Sequence, residues 1–180
     1  MRQRILAVLI TLSLFAAASA QTPADKAVRK ALEPLYARIA KAFFNRDIEG
    51  FMGLFAPPGT ARQGEKVADP QEARVRVGMV LAMVKKMTGV KMQIVQVTSK
   101  GDRAVVINRY AYQGIVEPEK GRTVKMADRG TMKITWAKTA KGWRILNVDT
   151  IDSNPTMDGK PMKGTMPQAP RPGTAVPPKK

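Results

Sequence analysis

Residues 142–152, GWRILNVDTID, are the stretch of sequence that decides the fold. Apolar side chains alternate with polar ones after a glycine turn, which is the pattern of a β-strand with one buried face. A period of two places Asn147 and Asp149 on the same face as Trp143 and Ile145. A polar pair among apolar neighbours predicts either the mouth of a ligand pocket or a solvated rim.

Three further strands precede this one. The first contains Met92, Ile94 and Val97, the second covers 103–116 and the third covers 122–138. Gly101-Asp102, residues 117–121 and residues 140–142 supply the turns between them. Strands joined by short turns pair as an antiparallel meander, so the sequence predicts a sheet of about four main strands.

Helical patterns fill the N-terminal part of the chain. Apolar residues recur at three- and four-residue spacing over 27–43, a short second helix follows Asp47 as far as Phe55, and a third runs from Pro70 to about Met87. Asp47 and Asp69 stand where helix caps are expected. Three helices followed by a meander predict an α+β fold, with the helices packed on one face of a curved antiparallel sheet.

Both ends of the chain differ from the middle. Arg2 and Arg4 precede an apolar run over 5–18, and Ala18-Ser19-Ala20 follows it, which is the pattern of a signal peptide cleaved after Ala20. We therefore expect an exported protein, periplasmic or secreted. The folded domain is expected over 21–153, and the basic, proline-rich residues 154–180 are expected to be a disordered tail.

Composition excludes several kinds of chemistry. The chain has 180 residues, a formal net charge of +17, and neither histidine nor cysteine. Disulfides, ordinary zinc, haem and iron–sulfur sites, and Ser-His or Cys-His nucleophiles are thereby excluded, and we expect neither a metal nor a cofactor. The excess of cations suggests an anionic partner, and export argues against sequence-specific nucleic acid.

Asp128 is the least ordinary carboxylate in the sequence. Its position in the third strand shares a face with Met126 and Trp136, so regular alternation would bury it and make it a candidate general acid or base. Gly130, however, is placed to form a β-bulge that resets the alternation. The preferred interpretation puts Asp128 at the surface beside Arg129 or Arg109.

Two segments carry a resemblance to a known family. Residues 36–55, with NRDIEG between two helices, and residues 141–145 at the start of the last strand resemble the nuclear-transport-factor-2-like (NTF2-like), or SnoaL-like, superfamily. The resemblance implies a cone, as in cystatin-like folds, with an apolar pocket and with dimers formed through the open sheet face. It also implies several activities, because members include isomerases, dehydratases and polyketide cyclases. Residues 61–64 offer no carboxylate where catalytic members take a base, and Asn147 and Asp149 stand where relatives often carry histidine.

The sequence thus predicts an exported, non-catalytic protein that binds a small apolar molecule or a protein partner in or near the cone pocket. One alternative is an isomerase or lyase with Asp128 or Asp149 as base beside a tyrosine. Another is a basic protein that docks on anionic envelope surfaces. The residues expected to line the pocket are Tyr110, Tyr112, Met83, Trp136, Asn147 and Asp149.

Overall fold

A computed structural model describes residues 21–162, and in it the three predicted helices come first. They are α1 (Pro23–Phe44), α2 (Ile48–Met52) and α3 (Pro70–Met83). The predicted signal peptide and residues 163–180 lie outside the described residues. Asp47 and Asp69 cap α2 and α3 as expected, each accepting a hydrogen bond from a backbone N–H of the first turn.

The sheet confirms the predicted meander. Strands β1 (Val84–Lys100), β2 (Arg103–Glu119), β3 (Arg122–Thr139) and β4 (Gly142–Ser153) pair antiparallel in that order. Helix α1 lies against β1, where Arg29 donates to the backbone carbonyl of Ile94 at 2.7 Å. We call the sheet surface turned away from the buried core the open face. The α+β prediction, a curved antiparallel sheet packed on N-terminal helices, is confirmed.

Several boundaries differ from the sequence prediction: α2 ends at Met52 rather than Phe55, β2 extends to Glu119 rather than residue 116, and two differences are larger. Helix α3 ends at Met83 rather than near Met87, because the chain from Val84 onward pairs with β2. Residues expected in the tail form a hairpin, in which β5 (Thr156–Met157) pairs with β3 and β6 (Lys160–Pro161) pairs with β5. Backbone hydrogen bonds to the free edge of β3 order this hairpin, so the folded domain extends beyond residue 153.

The largest core cluster lies between α1, α2 and the sheet. Trp136 is fully buried at its centre, 5.8 Å from the ring of Tyr36 between centroids. A smaller cluster, including Val84 and Met126, fills the far half of the sheet. The residues Leu54 to Ala56 run beside the outer edge of β4 and bond to Ile145, which protects that edge from pairing with another chain.

Asn147 and Asp149 do not lie on the face that the sequence predicts. Ile145 pairs with Trp136 whereas Asn147 pairs with Thr135, so Leu146 is an extra residue, a β-bulge. The bulge reverses the alternation, and the prediction that these side chains share a face with Trp143 and Ile145 is therefore wrong. Both belong to the open face.

Asp25 joins the start of α1 to the end of β1, and this contact makes stability depend on pH. Its carboxylate accepts hydrogen bonds from the Ser99 hydroxyl at 2.7 Å and the Thr22 hydroxyl at 2.7 Å, which lower its pKa from 3.8 to about 2. Because the pKa of Asp25 is lower in the folded state than in the unfolded state, its carboxylate stabilises the fold fully above pH 3.8. This stabilisation is lost as the pH falls through about 2. We expect Asp25→Asn to flatten the decline in unfolding free energy between pH 5 and pH 2, measured by urea titration. A decline equally steep in wild type and variant would contradict this assignment.

Candidate functional site

Asp128 is buried, and the preferred surface interpretation is wrong. The β2–β3 register is unbroken past Gly130, with Tyr112 opposite Asp128 and Tyr110 opposite Gly130. Regular alternation therefore turns the carboxylate inward, where it is 5% exposed. It accepts hydrogen bonds from Tyr110 Oη at 3.1 Å, Ser153 Oγ at 2.9 Å and the Asn154 backbone N–H at 2.9 Å. We call these four residues the polar hub.

Gly130 makes room for the hub rather than forming a bulge between β2 and β3. A Cβ at this position would lie 2.1 Å from the carbonyl oxygen of Asp152 and 2.8 Å from Tyr110 Oη. The absence of a side chain lets β4 and the tyrosine hydroxyl approach the same point. Gly130 therefore has a structural role, but that role is to let the Asp152 carbonyl and the Tyr110 hydroxyl approach β3, not to form the predicted bulge.

The hub is poorly suited to proton transfer. Three donors, the Tyr110 hydroxyl, the Ser153 hydroxyl and the Asn154 backbone N–H, already occupy the Asp128 carboxylate, so it has little room to accept a proton from a substrate. Burial, with the neighbouring carboxylate charge, raises the pKa of Tyr110 to about 12. Burial also raises the pKa of Tyr112, whose ring stacks on Tyr110 with centroids 6.0 Å apart. Near neutral pH both tyrosines therefore keep their protons, and the hydrogen bonds of the hub hold the strands together.

Asp149, the second candidate base, is held by cations. Asn147 Nδ2 donates to it at 2.9 Å, Lys133 Nζ lies 3.4 Å away, and Lys66 forms a further ion pair. Partial burial favours the neutral acid, but the hydrogen bonds from Lys66 and Asn147 outweigh it and lower the pKa. This carboxylate is an ion-pair partner with little basicity.

The open face contains a cleft of about 380 Å³ that spans β1, β2 and β3. The register places Lys91 opposite Ala111, Ala111 opposite Arg129, and Arg109 opposite Thr131, so the side chains on its floor share one face. Asp152 at the C-terminal end of β4 and Asn154 after it close one side. We call it the basic cleft; it is lined by Lys91, Gln93, Arg109, Tyr110, Ala111, Arg129, Gly130, Thr131, Asp152 and Asn154.

The residues predicted to line one pocket are not brought together. Tyr110 is part of the lining of the basic cleft, but its hydroxyl is bonded to Asp128 in the hub, whereas Trp136 is enclosed in the core. Met83 is half exposed and lines a second cleft of about 500 Å³. We call that one the end cleft, and its lining is Arg46, Ala82, Met83, Val84, Lys85, Glu117 and Lys120.

Sequence reasoning missed two parts of these sites. The sequence pattern places Ser153 at the end of a strand and Asn154 in the tail, yet both complete the hub. The sequence predicts Arg129 or Arg109 as a partner of Asp128, yet both arginines line a cleft on the opposite face. Their odd-numbered positions, shared with Lys91 and the other polar residues of the strands, carry the signal that could have found them.

Across 21–162, no three His, Cys, Asp or Glu side chains are grouped closely enough to hold a metal ion. Within the same range, no helix combines the length and apolarity needed to cross a bilayer.

Comparison with known proteins concerns the fold. No family model matches the chain, and no curated protein matches it. Among solved structures, LinA matches with a TM-score of 0.55 at 15% identity, over 81% of this chain and 96% of that one. An NTF2-like superfamily protein from Salmonella enterica serovar Typhimurium matches with a TM-score of 0.52 at 17% identity, over 69% of this chain and 90% of that one. The Kfla4162 protein from Kribbella flavida gives a TM-score of 0.54 at 13% identity, over 71% and 93%. The order of helices and strands, the curved meander and these matches together show that the chain has the NTF2-like fold.

Proposed function

We propose that this protein is exported and acts as a non-catalytic binding protein that holds an anionic ligand in the basic cleft. The main observation behind this proposal is that Lys91, Arg109 and Arg129 all line one cleft. Within residues 21–162, none of the ion pairs involves any of these three side chains, whereas Lys66, Arg74 and Arg103 are paired. The cleft therefore holds cationic groups that are available to a ligand.

Without a bound anion, repulsion among the cations of the basic cleft lowers the stability of the fold. The three cations lie on neighbouring strands, and like charges on one face of a sheet repel each other. Asp152 is the one carboxylate of the lining and offsets a single charge. An anion bound between the guanidinium groups would offset the rest, and planar guanidinium groups are well suited to bidentate binding of carboxylate or phosphate.

The size and polarity of the cleft indicate the kind of ligand. A volume of about 380 Å³ falls within the range of small-molecule sites. Gln93, Thr131 and Asn154 add hydrogen-bonding groups around the cations. These features favour a small organic or inorganic anion over the small apolar ligand that the sequence predicts.

The isomerase or lyase alternative ranks second. The hydrogen bond between Tyr110 and Asp128 is the contact that such an enzyme would need. Against it stand the three donors that saturate Asp128 and its burial on the core side of the sheet.

Export rests on the predicted signal peptide, and the homodimer implied by the resemblance stays a prediction.

Isothermal titration calorimetry with pyrophosphate and citrate as probes tests the proposal. We expect saturable binding that weakens with added salt, because charge attraction between probe and cations is screened. Replacing both Arg109 and Arg129 by alanine should weaken binding by at least about tenfold, since hydrogen bonds between charged groups contribute roughly 1.5–3 kcal/mol each.

The matched control removes the same charge elsewhere. Lys138 and Lys141 are exposed cations at the β3–β4 turn, away from the cleft. Lys138→Ala/Lys141→Ala should leave probe affinity within about twofold of wild type, because distant exposed charges are screened. Equal losses in the two double variants would show unspecific attraction to a basic protein and would overturn the proposal.

A further inference from the structure

Helix α3 exposes an apolar ridge that the fold does not cover. Val75 is 52% exposed, Met79 59% and Met83 49%. With Ala82 they occupy one side of the helix, at spacings of three and four residues, over about 12 Å of its length. We call these four residues the apolar ridge. The opposite side of α3 is used for packing, since Leu81 is buried and Gly78 lies beside Ile48.

Cations border the ridge at its C-terminal end. Arg46, Lys85 and Lys120 line the end cleft together with Ala82 and Met83. Lys85 is paired with Glu117, whereas Arg46 and Lys120 take part in none of the ion pairs within residues 21–162. Lys85 and Lys120 are far apart in the sequence, and the β1–β2 pairing brings them together beside the ridge.

Arg46 occupies a backbone conformation that favours glycine. It follows the C-terminus of α1 with φ +58°, and its N–H donates to the Phe43 carbonyl at 3.1 Å while Asp47 N–H donates to Ala42 at 2.8 Å. These are the two hydrogen bonds of a Schellman motif, in which the left-handed position is usually glycine. An arginine there is conformationally unfavourable, which points to a role for its charge.

We infer that the apolar ridge and the cations of the end cleft form a docking surface for an anionic phospholipid bilayer. A convex ridge of aliphatic side chains can enter the boundary between headgroups and acyl chains without a complementary pocket. The neighbouring cations then meet lipid phosphates, each contributing electrostatic attraction to the anionic surface. Self-association through this surface is disfavoured, because a chain of net charge +17 would bring like charges together.

This surface is separate from the basic cleft, so the inference stands independently of the proposed function. Sedimentation with vesicles of phosphatidylglycerol and phosphatidylcholine, compared with pure phosphatidylcholine, measures it in the mature chain that begins at Gln21, because the apolar residues 5–18 would bind vesicles by themselves. We expect binding to the anionic vesicles that falls with salt. Met79→Gln/Met83→Gln keeps helix propensity and charge, and should weaken binding by at least about tenfold through loss of apolar insertion.

A second variant separates function from folding. Arg46→Gly should raise the midpoint of urea unfolding, because glycine accepts a positive φ, yet weaken vesicle binding by about fivefold through loss of one cation. Val95→Thr/Val105→Thr removes exposed apolar groups from the open face and should bind vesicles like wild type. The inference is overturned if Met79→Gln/Met83→Gln binds within twofold of wild type. It is also overturned if wild type ignores anionic vesicles, including the case in which it binds an acidic helical peptide instead.

Discussion

Replacing Asp128 by alanine is expected to lower the free energy of unfolding by about 3–5 kcal/mol, because it leaves buried donors without an acceptor. The carboxylate joins three parts of the chain, through Tyr110 on β2, Ser153 at the end of β4, and Asn154 before the β5–β6 hairpin. Its loss should therefore affect the hairpin most. Urea unfolding gives the total effect, and hydrogen exchange at residues 154–161 gives the local one.

Asp152 provides the matched control for this variant. It lies one residue from Ser153, and its side chain is exposed. Asp152→Ala should lower the unfolding free energy by no more than about 1 kcal/mol, because the charge that it offsets in the basic cleft is exposed and screened by solvent. If Asp128→Ala cost no more than Asp152→Ala, the hub would not be the structural connection described above.

Replacing Trp136 by alanine is expected to cost about 3–5 kcal/mol, the usual range for a large aromatic side chain removed from a close-packed core. Trp136 is fully buried, and it packs against Tyr36 between α1 and the sheet. Its indole N–H has no hydrogen-bond acceptor within the described residues. Phenylalanine would remove this unpaired donor and keep much of the ring, so Trp136→Phe should cost only about 1–2 kcal/mol.

The informative quantity is the difference in unfolding free energy between Trp136→Ala and Trp136→Phe. A Trp136→Phe variant as unstable as Trp136→Ala would mean that the indole N–H has a partner whose loss dominates. A Trp136→Ala variant within 1 kcal/mol of wild type would mean that the side chain lies at the surface. Either result would contradict the packing described for Trp136. Urea unfolding measures the free energy of unfolding of both variants.

The overall fold could be predicted because its signals are local. The alternation in β4, the glycine turns and the caps at Asp47 and Asp69 each follow from neighbouring residues. The end of α3 could not be predicted in this way. Its apolar residues continue past Met83 at helical spacing, and only pairing of Val84 with Val116 on β2 takes them into the sheet.

The candidate site was harder to predict because it depends on contacts between strands. The bulge at Leu146, which moves Asn147 and Asp149 to the open face, results from how β4 pairs with β3. Gly130 suggested a bulge but instead admits the Tyr110 hydroxyl and the Asp152 carbonyl. The hub also needs Ser153 and Asn154, whose distance from Asp128 along the chain gives no local pattern.

Mapping the bound anion on the sheet tests the central claim most directly. In a titration of isotope-labelled protein with pyrophosphate, backbone amide shifts in NMR spectra report which residues contact the probe. We expect the largest, saturable changes on the open face at Lys91, Gln93, Arg109, Arg129 and Thr131, with little change at the buried Val116 and Met126. Changes spread evenly over exposed lysines and arginines, or centred on the core side around Tyr112 and Met126, would contradict the account.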